Sequence, residues 1–451
     1  MKHISRLLLF VAALFLVFGA DAQVNKWQDV YKAKKKDTLF GISRKYGITL
    51  PELIEANPVM KTEGYELKKG DMIFIPFAKS PSPAKPQTAK PAAKVSKNVR
   101  IGVMLPLHNV DGDGRRMIEY YRGILMACDS LKREGISTDV KAWNLPIDGD
   151  VNALLSQPGA ADCDVIFGPL YTHQVKPLGD FCKQHDIRLV VPFSIYGSDV
   201  CYNTNIYQVY QNPDEQNNAA VKAFLERFPN HHPVFIDCND STSKKGAFTF
   251  ALRNKLQLAK RDYSITNLNN SEQMFLKAFS RTKPNIVILN TGRSPELNVA
   301  IAKLNGLVAN VPGISISLFG YTEWLMYTKY QSTNFHKFNT YIPTTFYYNA
   351  VNANTINLER SYSRWFGEPM QYAQPRFAIT GYDHCQFFVR GIRHFGKNFC
   401  GYRSQQVKFP LQTPLSFERT FSPSKKEGGW QNRCYMLIHY MLDGGLESIT
   451  Y

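Results

Sequence analysis

The chain has 451 residues, with 54 Lys+Arg against 37 Asp+Glu, 44% hydrophobic and 13% aromatic residues. That much apolar side chain excludes chain-wide disorder, and 29 Gly with eight Cys excludes collagen-like and disulfide-dense scaffolds. A formal charge of +17 raises the question of an anionic partner: nucleic acid, a membrane surface or a cell-wall polymer.

Residues 1–22 have the features of a secretory signal peptide. Lys2 and Arg6 precede an apolar run, Leu7–Phe18, and the A-x-A-type site at Ala20-Asp21-Ala22 predicts cleavage after Ala22. The run falls short of the roughly 20 apolar residues a bilayer span needs, and no later stretch is long enough. The expectation is an exported, periplasmic, wall-associated protein without a transmembrane segment in the mature chain. Export argues against a nucleic-acid partner.

Cys128, Cys163, Cys182, Cys201, Cys238, Cys385, Cys400 and Cys434 could pair in an oxidising compartment, with up to 105 connectivities. Several fall in apolar helix or strand patterns, where a small buried thiol is the simpler reading. No bridge is singled out, although Cys400 with Cys434 is open.

Composition divides the rest of the chain in three. Residues 26–78 form a small domain, and residues 79–98 a Pro/Ala/Lys-rich linker with almost nothing to bury. Residues 99–451 form a large domain. The stretch 80–98 carries four Lys and no acidic residue, so the linker has the highest charge density.

In the small domain, Val30–Ala33 alternates as a strand. Asp37-Thr38 then caps an amphipathic helix with Leu39, Ile42, Ser43 and Tyr46, which Gly47 stops. Thr49 caps a second helix, with Pro51 in its first turn, that ends at Asn57-Pro58. Gly70-Asp71 and Ile73–Pro76 supply a turn and a closing strand. The stretch DTLFGISRKYGITLPELIEANP followed by LKKGDMIFIP resembles the LysM peptidoglycan-binding module over its whole length. That resemblance implies a βααβ fold and a shallow groove for the N-acetyl groups of GlcNAc-containing glycans. It points to Asp37, Thr38, Leu39 and Phe40 on one side of the groove, and Asn57, Pro58 and Val59 on the other. Lys36 stands where the family usually has Gly.

The large domain alternates short apolar strands with helices, the signature of parallel α/β sheets. Strands are expected at Val99–Pro106, Val165–Phe167, Leu189–Val191, Val234–Ile236, Ile286–Leu289 and Ile314–Phe319. Helices are expected near 118–131, 175–182, 217–228, 248–258, 295–305 and 355–366. The ordered phrases IGVMLPL, CDVIFGPL, RLVVPFS, PNIVILN, ISLFGYTEW and FAITGYD resemble the type I periplasmic binding protein, or receptor-family ligand-binding, fold. The fold class is therefore α/β: a small βααβ domain plus a bilobed, doubly wound domain. The resemblance implies lobe one at about 99–210 and 344–398, and lobe two at about 211–343 and 405–451. A ligand would lie between them, outside the carboxyl ends of the strands. The loops after GPL and PFS are expected to open onto helix N-termini that favour anions. The matching positions are Tyr171, Thr172, Ser194, Ile195 and Tyr196, joined from lobe two by Asp240, Ser241, Thr291 and Tyr321.

No constellation for catalysis is present: no GxSxG, HExxH, P-loop or GxGxxG after a strand. Asp111-Gly112-Asp113-Gly114 lacks the remaining ligands of a calcium loop, and His231-His232 reads as a solvated turn. No metal, cofactor or catalytic residue is expected. The leading reading is an exported, non-enzymatic peptidoglycan-binding protein whose bilobed domain binds a small ligand or a cell-envelope partner protein. The alternative is a solute-binding protein for amino-acid-type transport.

Overall fold

The computed structural model describes residues 29–35, 37–46, 48, 50–61, 65, 67–76, 98–194 and 196–451. The segment expected to be a signal peptide (residues 1–22), Lys36, Gly47, Thr49, Ile195 and the linker up to Lys97 lie outside the described residues, as does the side chain of Phe40. The chain divides into two compact units, Met1–Lys94 and Val95–Tyr451. No helix among the described residues is long and apolar enough to cross a membrane.

In the first unit, β1 (Asp29–Lys32) pairs antiparallel with β2 (Met72–Ile75), and helices Leu39–Tyr46 and Leu50–Ala56 lie between them in the chain. Thr38 accepts the Gly41 N–H at 3.0 Å and so caps the first helix. Ala33, Ile42, Ile48, Leu53, Ile73 and Ile75 form the core. One device appears twice. Asp37 accepts the Tyr31 hydroxyl (2.8 Å) and the Lys34 N–H (2.7 Å); Asp71 accepts the Tyr65 hydroxyl (3.1 Å) and the Lys68 N–H (2.9 Å). Both copies read Tyr-x-x-Lys-x-x-Asp. In the second, Gly70 precedes the Asp at φ +104°, a conformation glycine adopts without strain.

The second unit holds two seven-stranded sheets. The first contains β3 (Asn98–Leu105), β4 (Ser137–Asn144), β5 (Val165–Phe167), β6 (Arg188–Val191), β7 (Ile206–Gln208), β13 (Phe417–Phe421) and β14 (Glu427–Asn432). Its spatial order is β13-β14-β7-β6-β5-β3-β4, parallel except for the β13–β14 pair. The second contains β8 (His232–Asp237), β9 (Ser264–Asn267), β10 (Asn285–Leu289), β11 (Ile316–Phe319), β12 (Thr340–Thr344), β15 (Met436–Tyr440) and β16 (Leu446–Thr450). Its order is β16-β15-β12-β11-β10-β8-β9, with antiparallel β15 and β16 finishing one edge. The inner strands are buried on both faces, which is why they read as short continuous apolar runs.

The lobe boundary expected near the C-terminus is corrected. Residues 405–451 do not all close lobe two: Trp430 and Gln431 pair in parallel with Tyr207 and Gln208 of the first sheet, and only β15 and β16 join the second. Trp430 stacks on Tyr207 at 5.9 Å, and Phe417 packs edge-on to the same ring at 5.3 Å; this aromatic burial holds the β-hairpin on lobe one. Strands β4, β7, β9 and β12 had no sequence expectation. The first is an edge strand with mostly exposed side chains, and β7 has only three residues.

Three short segments pass between the lobes: β7 to helix Pro213–Arg227, β12 to helix Ala353–Phe366, and β14 to β15. They are tied together. The buried Gln211 amide donates to the carbonyls of Asn432 (2.9 Å) and Cys434 (3.3 Å), while Arg433 pairs with Glu215 at 2.6 Å.

Candidate functional site

In the first unit the expected groove residues take different roles. Asp37 accepts two hydrogen bonds, the backbone N–H of Lys34 foremost, which hold its carboxyl below the usual range. Asn57 is buried, and its amide is spent inside the fold: Nδ2 donates to the carbonyls of Leu53 (2.8 Å) and Phe74 (2.7 Å), and Oδ1 accepts the Phe74 N–H (2.8 Å). Asn57 therefore shapes the loop and does not offer its side chain to a glycan. Pro58 opens a 3-10 turn, Pro58–Lys61, and Val59 stands 70% exposed on it. Thr38 is exposed and Leu39 half-buried at the start of the first helix.

In lobe one, β5 runs into Gly168, where φ is +136° and a Cβ would come within 2.0 Å of the Met104 carbonyl, so only glycine fits. Tyr171 and Thr172 follow. The Tyr171 hydroxyl donates to Asp113 at 3.3 Å, and Thr172 and Ser194 share a hydroxyl–hydroxyl bond of 2.9 Å. Tyr196 is 72% exposed beside them. The loop after PFS does not reach an α-helix: it makes one 3-10 turn, Asp199–Cys201, and returns as β7. Asp111 is the N-cap of helix Gly112–Arg133, accepting the Gly114 N–H at 2.7 Å, so the acidic tetrapeptide is a helix start. His232 is not in a solvated turn; it opens β8 and bonds Ser264 at 2.9 Å.

In lobe two, Asp240 and Thr291 meet at 2.7 Å, with Arg293 at 3.3 Å from the same carboxylate. Hydroxyls of Thr242 and then Thr291 hold Asp240 at about 2. Asp240 lines a cavity of about 290 Å³ with Asp237, Ser243 and Asn290; Ser241 lies exposed at its turn. Tyr321 is elsewhere. Its ring is buried and its hydroxyl donates to the Leu289 carbonyl at 2.5 Å; burial pushes its ionisation far up.

Tyr321 lines a different cavity, of about 340 Å³, that the sequence reading missed apart from this residue. Its wall takes Phe248 and Met326 from lobe two, Tyr210, Thr345, Phe346 and Tyr435 from the three crossing segments, and Gln374 from the loop before helix Phe377–Phe395. Lys245 and Glu323 form an ion pair of 2.6 Å in that wall. The available signal was positional: Thr322-Glu323 lie in the turn just beyond β11 and Thr344-Thr345 at the end of β12, where parallel sheets place ligands. The expected lobe-one set (Thr172, Ser194, Tyr196) does not line it. A larger cavity, about 430 Å³, is walled by lobe-one helices and residues 406–415 alone. The 340 Å³ cavity carries the functional argument, because it lies at the lobe crossings and holds the Lys245–Glu323 pair; a further cavity of about 290 Å³, lined by Tyr347, Asn352 and Cys434, also meets two of the crossings.

The LysM domain model matches residues 31–76. No curated protein matches the chain. Among solved structures, a putative branched-chain amino acid ABC transporter protein from Rhodospirillum rubrum is similar at 13% identity and TM-score 0.51, covering 78% of this chain and 99% of that one. A branched-chain amino acid ABC transporter periplasmic ligand-binding protein from Burkholderia xenovorans also aligns, at 11% identity, TM-score 0.45, and 78% and 95% coverage. So does an ABC transporter substrate-binding protein from Desulfitobacterium hafniense in complex with Leu, at 12%, 0.41, and 78% and 100%. The chain thus joins a LysM domain at residues 31–76 to a bilobed α/β unit with the fold of type I periplasmic binding proteins.

Proposed function

We propose that this is an exported, non-enzymatic peptidoglycan-binding protein, held at the cell wall by its LysM domain, whose bilobed unit binds a small ligand or a cell-envelope partner protein. The observation that carries the reading is the union in one chain of a LysM domain and a two-lobed unit with a cavity at its crossings. The glycan contacts assigned are the backbone and exposed atoms of Asp37, Thr38 and Leu39 with Pro58 and Val59. The basic stretch 80–98 suits an anionic wall or membrane surface.

Sedimentation with purified sacculi tests it. At salt high enough to screen the basic stretch 80–98, the full chain should pellet with sacculi, and a chain lacking 26–78 should stay in the supernatant. Pelleting of the deleted chain would refute wall attachment through LysM.

A second reading, capture of an amino-acid-type solute for transport, is favoured by the Lys245–Glu323 pair, which presents both signs of charge in the cavity wall. A thermal-shift screen of the full chain against free amino acids and muropeptides separates the two. Stabilisation by a free amino acid alone supports solute capture; stabilisation by muropeptides alone supports the wall reading.

A further inference from the structure

We propose that Cys128 and Cys385 form a disulfide that ties helix Gly112–Arg133 to helix Phe377–Phe395 in the oxidised protein. Their sulfurs are 3.9 Å apart, the one sulfur–sulfur contact of this kind among the described residues. The contact joins residues 257 positions apart in the chain, so it is made by the fold and not by local sequence.

The helices around this pair run unusually close. A Cβ on Gly123 would lie 1.9 Å from the Ala378 carbonyl oxygen, and one on Gly381 would lie 2.0 Å from that of Tyr120. Only glycine permits such backbone approach. Ordinary helix pairs keep their axes about 8–10 Å apart, whereas a disulfide needs Cα atoms about 4.4–6.8 Å apart and sulfurs at about 2.05 Å. Cys128 lies five residues beyond Gly123, and Cys385 four beyond Gly381, on the same seam. Further along it, Gln386 donates to the Ala127 carbonyl and Arg390 pairs with Glu134 at 2.6 Å. Closing the bridge brings the two sulfurs from 3.9 Å to about 2.05 Å.

The two thiols are unequal in a way that suits exchange. Cys128 is half-buried, and the Cys385 thiol beside it lowers its ionisation; Cys385 is fully buried, and burial pushes its own far up. Cys128 is thus the thiol that reacts first. Its thiolate attacks one sulfur of an external disulfide, such as oxidised glutathione or a protein disulfide oxidase, and expels the other sulfur as a thiolate. Cys385 then loses its proton, attacks the Cys128 sulfur of the mixed disulfide, and expels the second thiolate. The sum is two protein thiols oxidised, one external disulfide reduced to two thiols, and one S–S bond formed in the protein.

The purified full chain, first reduced, is equilibrated with oxidised glutathione, quenched with acid, alkylated and digested without reductant. Expected is one cross-linked peptide pair joining Cys128 to Cys385, with the other six cysteines alkylated. The oxidised chain should melt about 5 °C above the reduced one. Cys128→Ser should abolish both the linked peptide and the redox-dependent shift, while melting like the reduced wild type. Alkylation of both Cys128 and Cys385 after this treatment, or their bonding to other cysteines, would overturn the proposal. This readout in vitro does not depend on where the cell places the protein, so failure of the export reading is seen separately.

Discussion

Asn57 and Phe74, seventeen residues apart, exchange two hydrogen bonds: the Phe74 N–H donates to Asn57 Oδ1 at 2.8 Å, and Asn57 Nδ2 donates to the Phe74 carbonyl at 2.7 Å. A side-chain amide here behaves as one more residue of β-ladder, fastening the end of the second helix to β2. The Asn-Pro of the LysM pattern is accordingly a structural clamp, and the neighbouring Pro58 and Val59 carry the exposed surface.

Asn57→Ala should unfold or severely loosen the LysM unit. It removes the Asn57 side-chain hydrogen bonds to the Phe74 N–H and to the carbonyls of Leu53 and Phe74, costing about 2–4 kcal/mol in a domain with a core of few residues. Amide hydrogen exchange of Met72–Ile75 in the full chain checks this: protection should collapse there and persist in β3–β7.

Val59→Asp should leave that protection unchanged and reduce sacculus binding by about tenfold, since a charge on the exposed 3-10 turn adds no burial penalty to the fold but repels an anionic, acetamido-bearing polymer. Equal loss of protection in both variants would show that Val59 is structural.

Asp383 gives a pH signature. It is fully buried and accepts the backbone N–H groups of Leu411, Gln412 and Thr413 at 2.8–2.9 Å; burial pushes its ionisation up to about 7 despite these bonds. An unfolded aspartate ionises near 3.9. The folded chain therefore holds a proton that the unfolded chain has lost. The resulting stability is fully present below about pH 4 and is lost as pH rises through about 7, by at most about 4 kcal/mol. In urea unfolding, wild type should lose more stability from pH 5 to pH 8 than Asp383→Asn does. The variant should be less stable at pH 5, because its amide N–H groups face backbone donors.

Gly381→Ala should destabilise the bilobed unit by about 3 kcal/mol, since the new methyl would overlap the Tyr120 carbonyl and force two packed helices apart. A urea midpoint shift of the second unit measures it. Gly367→Ala, at a helix end with open space around it, meets only the cost of φ +73° and should lose less.

How far the sequence could be read follows from where each signal is stored. The LysM elements were legible because caps, turn residues and apolar spacing sit within a few residues of one another, as at Thr38 and Asn57-Pro58. The inner parallel strands were legible because burial on both faces makes them continuously apolar. Edge strand β4 and three-residue β7 left no such trace. Thr172 with Ser194, and Asp240 with Thr291, were matched to strand ends, and the fold does bring each pair into contact. Their grouping into one site was beyond reach, because a strand end says nothing about which cavity its loop will face.

By itself, the sequence determined the α/β class, the two units and the residues at strand ends, since these depend on local periodicity and turn chemistry. Only the tertiary structure decided that β13 and β14 belong to lobe one, that Lys245 meets Glu323, and that Cys128 meets Cys385. Those outcomes join residues 78 to 257 positions apart, or pair strands by aromatic packing, and no local rule selects one distant partner over another. Close packing of whole helices and sheets does.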